Sequence, residues 1–101
     1  MISVSPLIID NKPFTATQVK LPKTNLLIIS NEVGYVMCGA LDVDLLSNKL
    51  AERKIVAARA VGVKTIEALL DAPLDKVTTE AENFGWREGM NTKEALLKIA
   101  E

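Results

Sequence analysis

Cys38 is the only cysteine of this chain, and it stands within Gly34-Tyr35-Val36-Met37-Cys38-Gly39-Ala40-Leu41-Asp42. That stretch joins a strand-like run to a strong helix start. A thiol at the carboxyl end of a strand, facing a helix N-terminus, meets backbone N–H groups that favour the thiolate and make it a nucleophile or a redox group. The opposite reading is a small buried hydrophobe, a common state of unpaired cysteine. The usual base is missing, because the chain has no histidine. That absence also removes the Ser-His-Asp triad and histidine-ligated metal sites. A single cysteine excludes an intrachain disulfide and a cysteine-rich zinc site. The sequence therefore calls for no metal and no cofactor.

Two further positions suit an anion. Gly62-Val63-Lys64-Thr65 resembles the end of a phosphate-binding P-loop, but the order Gly-Lys-Ser/Thr is broken by Val63 and the upstream glycine is missing. A cation beside a helix start can still hold an anion, and an ordinary strand-to-helix turn with a solvated lysine is the competing reading. Arg59 shares a strand face with Ile55, Ala57 and Val61. A guanidinium on an apolar face needs a partner. Asp42, Asp44, another subunit, or the carboxylate or phosphate of a ligand would each serve. Asp42 and Asp44 are two apart at a helix start, point to different faces, and read as caps rather than as an acid–base pair or a metal clamp.

These residues need elements to position them. Ile2 to Ile9 and Phe14 to Leu21 alternate and flank the turn cluster Asp10-Asn11-Lys12-Pro13, so they read as a hairpin with Pro6 at an edge or bulge. Leu26 to Ile29 is a third strand, apolar throughout and expected to be covered on both faces. Tyr35 to Cys38 is a fourth. The period then changes: Asp42 caps a helix whose Val43, Leu46 and Leu50 share a face, and Leu41 staples to Leu46. Ile55 to Val61 is a fifth strand. Thr65 caps a helix from Ile66 to Asp71 that stops before Pro73. Thr78 caps another to Phe84, with Gly85 after it. Asn91-Thr92-Lys93-Glu94 opens a last helix with Ala95, Leu96 and Ile99 inward. The fourth and fifth strands with the helix between them form a β-α-β unit, which favours parallel pairing. Cys38-Gly39 and Gly62-Lys64-Thr65 would then line one sheet edge, with Asp42 close by, where such sheets bind ligands.

The fold expected is α+β: an N-terminal antiparallel β hairpin or meander running into a β-α-β unit, with short C-terminal helices. The length of 101 residues fits one domain, 1–101, β-rich over 1–38 and mixed then helical over 39–101. A domain of this size buries roughly 60–70% of the surface its unfolded chain exposes. Twelve basic and 13 acidic residues leave a net charge of −1, which offers nucleic acid no electrostatic footprint. Phe14, Tyr35, Phe84 and Trp86 are too scattered for base stacking. The longest apolar runs are too short to span a membrane, and no signal peptide is read at the N-terminus. A cytoplasmic protein is the simplest expectation.

The run from Gly34 to Asp42, Arg59-Ala60-Val61-Gly62-Val63-Lys64-Thr65, and Gly89-Met90 with Glu94-Ala95-Leu96 together resemble the YunC-like family of bacteria and archaea. Pro13-Phe14-Thr15-Ala16 and Lys20-Leu21-Pro22-Lys23-Thr24-Asn25 fit it too. The resemblance spans nearly the whole chain, and Cys-Gly-Ala-Leu-Asp is its most specific part. It implies a domain of unknown function whose N-terminal β region is associated with tetramerisation. It brings no catalytic residues with it. Sequence and resemblance leave three functions open: a homo-oligomeric binding module for a small anionic ligand at Gly39, Asp42, Arg59, Gly62, Lys64 and Thr65; a small enzyme with Cys38 as nucleophile or redox thiol; or a structural and assembly protein.

Overall fold

The computed structural model describes residues 2–39 and 54–100. The asserted helix with Asp42, Asp44 and the Leu41–Leu46 staple lies outside them. The chain opens with β1 (Ile2–Ile9), β2 (Lys12–Leu21), β3 (Thr24–Ser30) and β4 (Gly34–Met37). There follow β5 (Val56–Arg59), α1 (Ile66–Asp71), β6 (Lys76–Val77), α2 (Thr79–Asn83) and α3 (Thr92–Lys98). The six strands form one sheet in chain order, β1-β2-β3-β4-β5-β6. The fold is α+β, and its N-terminal strands are an antiparallel meander. β4 and β5 are parallel neighbours, as a β-α-β unit requires.

Local chemistry sets the turns. Asp10 and Asn11 take φ of 48° and 68°, a pair of left-handed residues suited to a two-residue hairpin. At the next turn Pro22 has its φ fixed by its ring, and Lys23 follows at φ 63° between the paired Leu21 and Thr24. Pro6 lies in β1, at the sheet edge, where a missing N–H is tolerated. The Thr65 hydroxyl accepts from the Ala68 N–H at 3.0 Å and so starts α1. Asn91 accepts from the amides of Lys93 and Glu94 at 2.9 and 3.3 Å. Thr78 caps α2 and also joins it to the sheet: its hydroxyl donates to the carbonyl of Ile55 at 2.6 Å and accepts from Ala57 N–H and Ala81 N–H.

One face of the sheet carries Phe14, Leu27, Ile29, Val36, Cys38, Val56, Ala58 and Ala60 into the core, opposite Leu69, Leu74, Ala81, Trp86, Ala95, Leu96 and Ile99. Trp86 is fully buried, and its indole N–H donates to the carbonyl of Ala95 at 2.7 Å. Asn31 links the β3–β4 turn to the C-terminal region by donating to the carbonyl of Ile99 at 2.7 Å.

Three sequence expectations are revised. Leu27 and Ile29 of β3 are buried while Leu26 and Ile28 are half-buried, so only one face of this strand is fully covered within a single chain. The fifth strand ends at Arg59, because the loop departs after Ala60 and Gly62 takes φ 75°. β6, two residues pairing with Ala58 and Arg59, was not expected. It is too short to show a hydrophobic period.

Candidate functional site

The predicted site residues that the structure describes, Cys38, Gly39, Arg59, Gly62, Lys64 and Thr65, fall at or beyond the carboxyl ends of β4 and β5. Cys38 continues β4, its N–H donating to the carbonyl of Leu27 at 3.0 Å. Gly39 is next, and a Cβ placed there would stand 3.3 Å from Val61, which follows β5. The two strand ends therefore lie side by side, as the parallel arrangement requires. The β2–β3 turn overhangs the same edge, because Thr24 and Asn25 open the strand that runs antiparallel to β4.

A cleft of about 320 Å³ opens between that turn and the loop after β5. It is lined by Leu21, Lys23, Thr24, Asn25, Val63 and Lys64. No carboxylate occurs among its described lining residues. Neither lysine makes an ion pair among the described residues. Two ammonium groups from separate loops, with a hydroxyl and an amide beside them, form a cationic, hydrogen-bonding cleft. Lys23 adds a second observation. It occupies a left-handed position that glycine fills without strain, and a side chain with a Cβ there costs roughly 1–2 kcal/mol. The backbone alone would favour glycine.

Cys38 lies beneath this edge rather than in the cleft. It is 6% exposed, on the core face of the sheet, and its thiol donates to the carbonyl of Asn25 at 3.8 Å. Arg59 sits on the opposite face from Cys38, as the pairing of Met37 with Arg59 dictates. Its Nε and one terminal nitrogen reach the same carboxylate oxygen of Asp75, at 3.0 and 2.7 Å. Arg59 thus has a carboxylate partner 16 residues ahead, on the segment that leads into β6, and it does not line the cleft. Gly62 shapes the loop with its positive φ, and Thr65 is spent on capping α1. Asp42 lies outside the described residues.

The structure therefore brings Gly39, Gly62 and Lys64 to one edge, with Cys38 below. It adds Lys23, Thr24 and Asn25, which the sequence reading did not single out. Their signal was the short Pro22-Lys23 turn. Its place beside Lys64 depends on strand pairings that residue spacing does not reveal.

A second surface is notable for its composition. Ile2, Val4, Pro6 and Ile8 of β1 point to the sheet face opposite the helices, with Val19 and Leu21 of β2 beside them. Ile2, Val4 and Ile8 are 68%, 65% and 62% exposed. Among the described residues no helix is long and apolar enough to cross a membrane, and no group of metal-binding side chains occurs.

Residues 37–99 match the family model described as a domain of unknown function, DUF1805. The uncharacterized protein YunC of Bacillus subtilis (strain 168) is 59% identical over 99 residues, covering 98% of each chain. The crystal structure of a protein of unknown function, TA1206 from Thermoplasma acidophilum, superposes with a TM-score of 0.87 at 27% identity. That match covers 98% of this chain and 93% of the other.

Proposed function

We propose that this chain, which belongs to the DUF1805 family, is a cytoplasmic, homo-oligomeric binding module for a small anionic ligand. The single observation that carries the ligand reading is the cleft with Lys23 and Lys64 on its walls and no carboxylate among its described lining residues. Gly62 gives the loop beside it its shape through its positive φ, and Gly39 lets the end of β4 approach Val61. Arg59 serves this reading indirectly, as the ion pair that ties β5 to the segment before β6. The alternative of thiol catalysis has no comparable support, since Cys38 is buried with its thiol directed to a backbone carbonyl.

Assembly is supported by a different observation. The exposed Ile2, Val4 and Ile8 lie on one face of a strand at the sheet edge. Contiguous apolar surface of this kind marks contact with another protein surface, and a second copy is the simplest one. A tetramer through this region is the form we propose, in line with the implied role of the N-terminal strands.

Thermal unfolding with increasing inorganic phosphate tests the ligand reading, because a ligand that binds the folded state raises the midpoint. The wild type is expected to gain stability with phosphate, and Lys23→Ala and Lys64→Ala to lose most of the gain. A midpoint indifferent to phosphate, or a gain untouched by both substitutions, overturns it.

A further inference from the structure

We infer that the ligand of the Lys23–Lys64 cleft is a phosphate monoester carrying an apolar body, rather than a free inorganic anion or a simple carboxylate. This rests on the anion-binding reading and goes further by naming the ligand class.

Three observations lead there. The first is charge: two lysines converge on one cleft, and neither has an ion-pair partner among the described residues. A phosphate monoester carries close to two negative charges at neutral pH, whereas a carboxylate carries one. The second is room. A volume of about 320 Å³ reaches the lower end of the range of small-molecule sites, which begins at roughly 300 Å³. A bare phosphate would occupy a small part of it. The third is the lining itself. Leu21 and Val63 share it with the two lysines, Thr24 and Asn25. Leu21 is 48% exposed and Val63 half-buried, so an apolar group entering the cleft removes apolar surface from water on two separate segments. An inorganic anion would leave both wet.

Isothermal titration of the full chain with three probes tests this: inorganic phosphate, phenyl phosphate and benzoate. Phenyl phosphate is expected to bind at least about tenfold more tightly than phosphate, a gain that needs only roughly 60 Å² of covered apolar surface. It is also expected to bind more tightly than benzoate. Leu21→Ser, at an exposed position, should remove most of the gain over phosphate, read as the ratio of the two affinities in the same variant. Val63→Ser is the second variant, with the fluorescence of the buried Trp86 reporting that each variant is folded. Equal affinity for phosphate and phenyl phosphate overturns this inference while leaving the anion reading in place. Benzoate binding as tightly as phenyl phosphate overturns the choice of a dianion. A gain that survives both serine variants overturns the apolar wall. Binding of none of the probes overturns the anion reading and the inference together.

Discussion

β1 and β5 belong to the same sheet, yet they are built in opposite ways. β1, Ile-Ser-Val-Ser-Pro-Leu-Ile-Ile, holds large apolar side chains, and of its eight residues only Ile9 is buried. β5, Val-Ala-Ala-Arg, holds small ones, and three of its four residues are buried. Side-chain size does not explain this; the surroundings do. β5 lies between β4 and β6 with α2 packed against it, while β1 has a neighbour on one side only. The core-facing side of the hairpin changes along its length. Near its turn, Leu7, Ile9 and Phe14 face the helices. Farther out, the same face carries Ser3, Ser5 and Gln18, and the opposite face carries Ile2, Val4 and Val19. The outer face is apolar from end to end, with Pro6 and Ile8 continuing Ile2 and Val4, and an apolar face left open in this way suits contact with another surface. The cleft lies between the end of β2 and the loop after β5.

The sharpest way to break this comparison is to add one methyl to the parallel pair. A Cβ at Gly34 would stand 2.4 Å from the carbonyl oxygen of Val56. Gly34→Ala is expected to destabilise the chain by about 3 kcal/mol, the upper part of the usual cost of overpacking, measured by urea unfolding. Removing large side chains from the hairpin should do far less. Val4→Ser and Ile8→Ser are each expected to change the stability of a single chain by no more than about 0.5 kcal/mol. If the proposed oligomer forms through this face, the same pair should shift it toward single chains in sedimentation velocity. If these substitutions destabilise as much as Gly34→Ala at every protein concentration, the outer face is part of the chain's own core and the contrast fails.

Arg59→Ala sharpens the comparison at the border of β5. The side chain of Asp75 is 38% exposed, so the pair is screened, and the loss expected is about 0.2–1 kcal/mol in the same unfolding measurement. Phosphate binding should persist in this variant, because the cleft lysines are intact. The smallest effect concerns Tyr35 of β4. Burial raises its pKa above the ordinary value of 10.0. The native state then holds this proton at pH values where the unfolded chain has released it. Well below pH 10 the residue contributes no pH dependence; as pH approaches and passes 10, stability falls as pH rises. Tyr35→Phe should remove that part of the decline, seen as a shallower loss of unfolding free energy between pH 9 and pH 11 (roughly one unit either side of the ordinary value).

What was legible in the sequence is what short-range chemistry fixes. The caps Thr65, Thr78 and Asn91 are each in place, because a cap depends on residues two or three positions away. The turn at Asp10-Asn11 and the edge position of Pro6 follow from backbone limits of single residues. The shared edge of Gly39 and Lys64 followed from one parallel pairing. Long-range partners were not legible. Asp75 as the partner of Arg59, the β2–β3 turn above the strand ends, and Val56 pressing on Gly34 depend on register across the sheet. Gly34 admits a neighbouring strand, and its local sequence does not say which one. Cys38 drew attention for its reactivity, and its place in the core is set by strand alternation.

The most direct measurement is an amide NMR titration of the full chain with inorganic phosphate. The account predicts shifts concentrated at Lys23, Thr24, Asn25, Val63 and Lys64, with Ile2, Val4 and Ile8 unmoved. Shifts centred on Arg59 or on the β1 face, or none at saturating phosphate, would contradict it.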